Sequence, residues 1–246
     1  MTTAAPDFDQ ELVAACADCY ADPLAFVLMM FPWPIGGIAG PDAWQRAVLE
    51  EIGAAVAVRG FDGTTSVAPI RKAISSGNGV GKTALFAWIT IWLMSTRADT
   101  RGTVTANTND QLQKPTWAAV IEWTKRCVTS PWFEINSTIM YRKGHRETWA
   151  CSPISCAPEN ADAYQGQHAR GSTSFYLFDE ASGISSAIWE AAEGGLTDEP
   201  IFIVGGNPLR SSGPFYDACF GKGRDRWNPT VVDARTTVLA NQALIA

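Results

Sequence analysis

The stretch that most constrains this chain is "SGNGVGKT", Ser76 to Thr83, set directly before an apolar run from Ala84 to Met94. Glycine loses more backbone freedom on folding than any other residue. Yet Gly77, Gly79 and Gly81 stand against the most hydrophobic segment of the sequence. The pattern matches G-x-x-x-x-G-K-[ST], with Ser76 in place of the first glycine. "APIRKAIS" before it reads as a strand, and Lys82 to about Ser95 reads as a helix, which is the setting the motif requires. In that setting the backbone N–H groups of Gly77, Asn78, Gly79, Val80, Gly81, Lys82 and Thr83 converge on a β-phosphate. The helix N-terminus adds about half a positive charge there. Lys82 is expected to reach the β- and γ-phosphates and the Thr83 hydroxyl to hold Mg²⁺. All three glycines are expected to supply positive φ angles or close backbone approach. The alternative is a glycine-rich turn that happens to precede a helix. The adjoining Lys-Thr and the flanking elements favour nucleotide binding. The following helix is apolar all round, so Trp88, Ile89 and Trp92 are expected in the core, and the run is too short to span a bilayer.

The chain has 246 residues, 46% hydrophobic and 18% charged, which describes one large globular domain or one domain with an appendage. Its net charge of −6 argues against a broad basic face for nucleic acid. Contact with DNA would use a small patch or one seat in a ring. The basic clusters are Arg71-Lys72, Lys125-Arg126, Arg142-Lys143 and Lys222 to Arg226. Cys16-x-x-Cys19 lacks a second pair at zinc-finger spacing, so the cysteines read as reduced thiols of a cytosolic protein. The start, "MTTAAPDFDQELV", is acidic and shows no apolar signal core.

Residues 1 to about 60 read as a helical lead-in. Asp22 and Pro23 open one helix, and "PWPIGGIAGP" breaks the chain. Asp42 then caps a helix whose inward face is expected at Ala43, Ala47, Val48 and Ile52. From residue 61 on, short apolar strands alternate with helices. "GTVTAN", "STSFYLFDE" and "PIFIVGGNP" read as strands. "STIMYRK" with "ETWACSP" reads as a hairpin. Helices fall at "TNDQLQKPTWAAVIEWTKRCV", "SSAIWEAAEG" and "GPFYDACFG". This predicts an α/β fold with a mostly parallel sheet covered on both faces.

"FYLFDEAS" ends a strand with Asp179 and Glu180. A P-loop enzyme needs a carboxylate near Mg²⁺ at an adjacent strand tip, which suits Asp179, and Glu180 could polarise the attacking water. Gly206-Asn207-Pro208 sits at another tip, where the Asn207 amide could touch the γ-phosphate or the water; a plain turn explains it equally well. Gln45, beside Trp44, could serve an adenine edge, although a solvent-facing glutamine is the simpler reading. For the arginine that stabilises transition-state charge, Arg71 is a candidate in cis and Arg170, in "YQGQHARGS", a candidate in trans.

In their order, "WQRAVLEEI", "SSGNGVGKT", "TANTNDQ", "FYLFDEASGI", "IWEAAEGGLTDEPIFIVGGNP" and "SGPFYDACF" resemble the large terminase subunit of tailed bacteriophages and prophages. The resemblance covers about residues 40 to 235. It implies a RecA-like P-loop ATPase of the ASCE type with a helical N-terminal lid, so that residues 1–60 form the adenine-side lid and 61–246 the ATPase core. It gives Gln45 the adenine-contacting role, Asp179 the Mg²⁺ carboxylate, Glu180 the catalytic glutamate and Asn207 a coupling role. It implies ATP and Mg²⁺ as cofactors. The implied partners are double-stranded DNA, the portal of a procapsid, a small terminase subunit and a ring of identical copies, in the host cytoplasm and away from membranes. Family members carry a C-terminal nuclease domain resembling ribonuclease H; the sequence has no room for it, so DNA cleavage is not expected. Gln165, His168 and Arg170 blur the arginine motif. The rival readings are a helicase-like ATPase on single strands, which needs a second RecA-like lobe, and a nucleotide-binding assembly module with little turnover.

Overall fold

The computed structural model describes residues 8–157, 160–165 and 169–240. Three helices lead in: α1 (Phe8–Asp18), α2 (Pro23–Met30) and α3 (Ala43–Arg59). The Asp22 side chain accepts from the Ala25 N–H, and Pro23 opens α2. Asp42 and Gln45 form a reciprocal capping box on α3, and left-handed Gly60 ends it. The buried face of α3 is Gln45, Val48, Leu49, Ile52, Gly53 and Val56. Ala43 and Ala47, expected inside, are not buried. Their small area gains little from burial, so the larger side chains set the rotation of the helix.

The core elements follow in order: β1 (Ile70–Ser76), α4 (Lys82–Thr96), β2 (Arg101–Ala106), α5 (Asn109–Gln111), a π turn (Leu112–Trp117), α6 (Ala118–Arg126), β3 (Phe133–Ile135), β4 (Met140–Arg142), β5 (Ala150–Pro153), α7 (Ala161–Gln165), β6 (Thr173–Asp179), α8 (Ser186–Gly194), β7 (Glu199–Gly206), α9 (Pro214–Cys219), α10 (Arg224–Trp227) and β8 (Pro229–Val232). The sheet order is β3-β4-β5-β2-β6-β7-β1-β8. From β5 to β8 every pairing is parallel, and β3 and β4 add an antiparallel margin. The expected hairpin is β4 with β5. The short strands β3 and β8 escaped the sequence reading, and β8 opens on a proline, which suits an edge.

Side chains of β6 alternate between two cores. Phe175 and Leu177 join the core built with α1–α4 and α6. Tyr176 and Phe178 join the core under α7–α10. Trp88, Ile89 and Trp92 are buried as expected. The Trp92 indole donates to the Cys19 carbonyl at 2.8 Å, so α4 binds the lead-in directly. No described helix is long and apolar enough to cross a membrane. The parallel registers bring Ala106 beside Asp179, Phe178 beside Val204 and Ser75 beside Gly206. The ends of β1, β2, β6 and β7 therefore share one edge, where α/β sheets hold their ligands.

Candidate active site

The loop between β1 and α4 turns through Gly79 (φ 73°) and Gly81 (φ 93°). These angles need glycine. Gly77, expected to share this property, is not left-handed, and a Cβ there would make ordinary contact with Ala234 at 3.7 Å. Val80 is fully buried and anchors the loop, while Asn78 and Gly79 form its exposed tip. Loop residues 77–79 and 81, with Lys82, Thr83, Glu180 and Leu239, enclose a cleft of about 490 Å³. Ser76 ends β1 and is not on the cleft wall; its hydroxyl is buried with no partner among the described residues. Gly205 leaves room for the Lys82 stem, since a Cβ there would lie 3.1 Å from the lysine Cδ.

Asp179 ends β6 at 3% exposure. Its Oδ2 accepts from the Thr116 hydroxyl at 2.8 Å and its Oδ1 from the Glu180 N–H at 3.0 Å. Burial pushes the Asp179 carboxyl above its usual range, against the opposing pull of Lys82 and Thr116. Glu180 keeps 27% of its side chain exposed and faces Lys82 Nζ at 3.7 Å. Ordinary strand alternation would send residues 179 and 180 to opposite faces. Glu180 instead takes a left-handed backbone (φ 49°) and starts the 3₁₀ turn Ala181–Gly183. Asn207 follows β7 and is half-buried. It sits next to Gly206, where a Cβ would lie 3.0 Å from the Ala181 nitrogen.

Thr116 went unrecognised in the sequence. It reaches Asp179 because Pro115 lies inside the π turn. Proline withholds an N–H and crowds the preceding turn, so the helix widens there. Pro115 in an otherwise helical segment was the available signal.

Gln45 is 1% exposed rather than solvent-facing. Its Nε2 donates to the Gly81 carbonyl at 2.9 Å, and its Oε1 accepts from the Asp42 N–H at 2.8 Å. The neighbouring Trp44 indole donates to the Val80 carbonyl at 3.2 Å. Arg71 does not serve the cleft. It lies near the start of β1 and grips Glu193 through Nη2 at 2.9 Å and Nε at 3.3 Å. Arg170 is exposed in the turn before β6, at the sheet edge opposite Asp179, so it does not face the chain's own cleft. His168 lies outside the described residues.

Among the described residues no group of three or more His, Cys, Asp or Glu could hold a metal. Mg²⁺ needs few protein ligands, because it keeps several waters and takes substrate phosphates. A hydroxyl in the first turn of α4 and a carboxylate at the neighbouring strand tip, Thr83 and Asp179, fit that donor set.

No protein-family profile matches the chain. A probable terminase large subunit of Enterobacteria phage P7 is 29% identical over 157 residues, covering 59% of this chain and 30% of the relative. The large terminase of bacteriophage HK97 superposes with a TM-score of 0.56 at 16% identity, over 87% of this chain and 43% of the other. The large terminase of a thermophilic bacteriophage, solved in complex with ADP, gives 0.50 at 13% identity, over 72% and 42%. The chain thus spans about a third of the length of the P7 relative and under half that of the two solved structures. The RecA-like fold expected from the sequence is the fold observed. In sequence over 59% of its length, and in fold, this chain resembles the large terminase subunit of tailed bacteriophages.

Proposed function

We propose that the chain hydrolyses ATP with Mg²⁺, and that this hydrolysis drives double-stranded viral DNA into a procapsid. The observation that carries the reading is one cleft in which loop amides, Lys82, Thr83 and Glu180 meet, with Asp179 beneath them. In this reading the amides of residues 77–83 and the α4 N-terminus bind the β-phosphate. Lys82 holds the β- and γ-phosphates. Thr83 and Asp179 hold Mg²⁺, which when bound neutralises charge on the phosphate oxygens. Glu180, partly exposed, accepts a proton from the water that attacks the γ-phosphorus. The bond from that phosphorus to the β–γ bridging oxygen breaks, and ADP leaves. Asn207 senses the γ-phosphate at the β7 tip, and Arg170 reaches the cleft of a neighbouring copy in a ring. Double-stranded DNA, portal and small terminase subunit are the proposed partners, in the bacterial host cytoplasm. The ADP complex of the thermophilic-phage relative and the likeness to the P7 subunit support this choice over other P-loop chemistry.

The test measures ATP turnover and nucleotide affinity with and without duplex DNA. Glu180→Gln is expected to lose turnover by at least about 100-fold and keep nucleotide. Lys82→Ala is expected to lose both. Undiminished turnover in Glu180→Gln, or wild type that binds no ATP, overturns the reading.

A further inference from the structure

The phosphate loop is gripped from behind by the first turn of α3. A trans peptide unit points its C=O and N–H in opposite directions. The unit joining residues 80 and 81 carries the Val80 carbonyl and the Gly81 N–H. The next unit carries the Gly81 carbonyl and the Lys82 N–H. Fixing the two carbonyls therefore fixes where the two N–H groups point. Trp44 Nε1 holds the Val80 carbonyl at 3.2 Å, and Gln45 Nε2 holds the Gly81 carbonyl at 2.9 Å. Gly81 O also accepts the first helical bond of α4, from the Leu85 N–H at 3.2 Å, so both of its acceptor positions are used.

The Gln45 amide has a single consistent orientation. The Asp42 N–H can only donate to it, and the Gly81 carbonyl can only accept from it. The side chain is 1% exposed, and the Gly81 Cα packs against it so closely that a Cβ would lie 2.8 Å from Nε2. The two bonds commit one N–H and one oxygen lone pair of this amide to backbone. It is built to hold backbone.

We propose that Gln45, assisted by Trp44, is a positioning residue of the phosphate loop. It aims the Lys82 and Gly81 N–H groups at the bound phosphate and does not read the base. This rests on the nucleotide reading above and departs from the adenine-contacting role that the family resemblance gives Gln45.

The experiment titrates wild type, Gln45→Glu, Gln45→Met and Trp44→Phe with ATP, GTP and inorganic tripolyphosphate by calorimetry, alongside ligand-free Tm. Glutamate keeps the acceptor for the Asp42 N–H and so keeps the capping box, but it cannot donate to Gly81 at neutral pH. Methionine removes both bonds without adding charge. Both Gln45 variants are expected to weaken all three ligands by the same factor, about tenfold. Trp44→Phe is expected to weaken them equally and by less. Loss confined to ATP would assign Gln45 to the base and overturn the proposal. A lowered Tm with unchanged affinities would reduce Gln45 to a helix cap and also overturn it. Wild type that binds none of the three ligands removes the nucleotide reading itself, and this proposal with it.

Discussion

At the edge where β7 begins, Glu199 is fully buried and accepts from Arg97 Nε at 3.1 Å, Arg59 Nη2 at 3.2 Å, the Tyr20 hydroxyl at 2.7 Å and the Thr173 hydroxyl. Arg97 is further enclosed between the Tyr20 and Trp92 rings. At the opposite edge, Glu180 has a single loose ion pair at 3.7 Å and keeps 27% exposure. Both sites set a carboxylate at a strand end of the same sheet against cations carried at helix ends. The first uses both oxygens and is closed to solvent. It ties the α1–α2 turn, α3, α4, β6 and β7 into one body. The second leaves its carboxylate and its lysine with spare bonding capacity, as the proposed roles toward nucleotide and water require. Saturation marks the structural cluster, and spare bonding capacity marks the candidate active site.

The comparison breaks most visibly if Glu199→Ala is tolerated. Removing the acid leaves two buried guanidinium groups without their partner, which is expected to destabilise the chain by about 3–5 kcal/mol. Urea unfolding checks this, and a loss under about 1 kcal/mol would mean that the cluster does not clamp these elements together.

A smaller effect is expected at Thr116→Val. It leaves Asp179 Oδ2 buried without its donor, which costs about 1–3 kcal/mol. The Asp179 carboxyl is already raised by burial, and losing the hydroxyl raises it further. An acid whose folded pKa is raised adds stability below its unfolded pKa, about 3.9. That stability is lost as pH rises from there through the folded value. The ligand-free Tm of Thr116→Val should therefore fall more steeply with rising pH than that of wild type, and Asp179→Asn should remove this component. The acid limb of ATP turnover should move to higher pH in Thr116→Val. Unchanged pH profiles would detach Thr116 from the site.

The smallest effect is expected at Arg71→Gln. Its pair with Glu193 lies near the surface, so about 1 kcal/mol or less is expected, with turnover within about twofold of wild type. A large loss of turnover would bring Arg71 back as a cleft residue.

What could be read from the sequence follows from where each requirement is written. The loop was legible because its chemistry is backbone chemistry, and Gly79, Gly81 and Lys82 carry it within a few consecutive positions. Asp179 and Glu180 were legible because an apolar strand runs straight into them. Arg71 misled because proximity along the chain is not proximity in space. The strand carries it away from Ser76 by roughly 17 Å at the usual rise. Gln45 and Thr116 make their contacts across 36 and 63 positions of sequence; Pro115 marks an irregular helix beside Thr116, but neither contact's partner is written in a local pattern. The strands β3 and β8 were missed because segments of three and four residues, stabilised by their neighbours, hold no periodicity to detect.

The left-handed backbone at Glu180 has a consequence of its own. A side chain in that conformation costs about 1 kcal/mol that glycine would avoid. Glycine at 180 would ease the bend and discard the carboxylate. The ligand-free protein should accordingly gain heat resistance from Glu180→Gly while losing any chemistry that needs an acid there. Position 180 is thus a place where a selection for robustness and a selection for turnover pull the same codon in opposite directions.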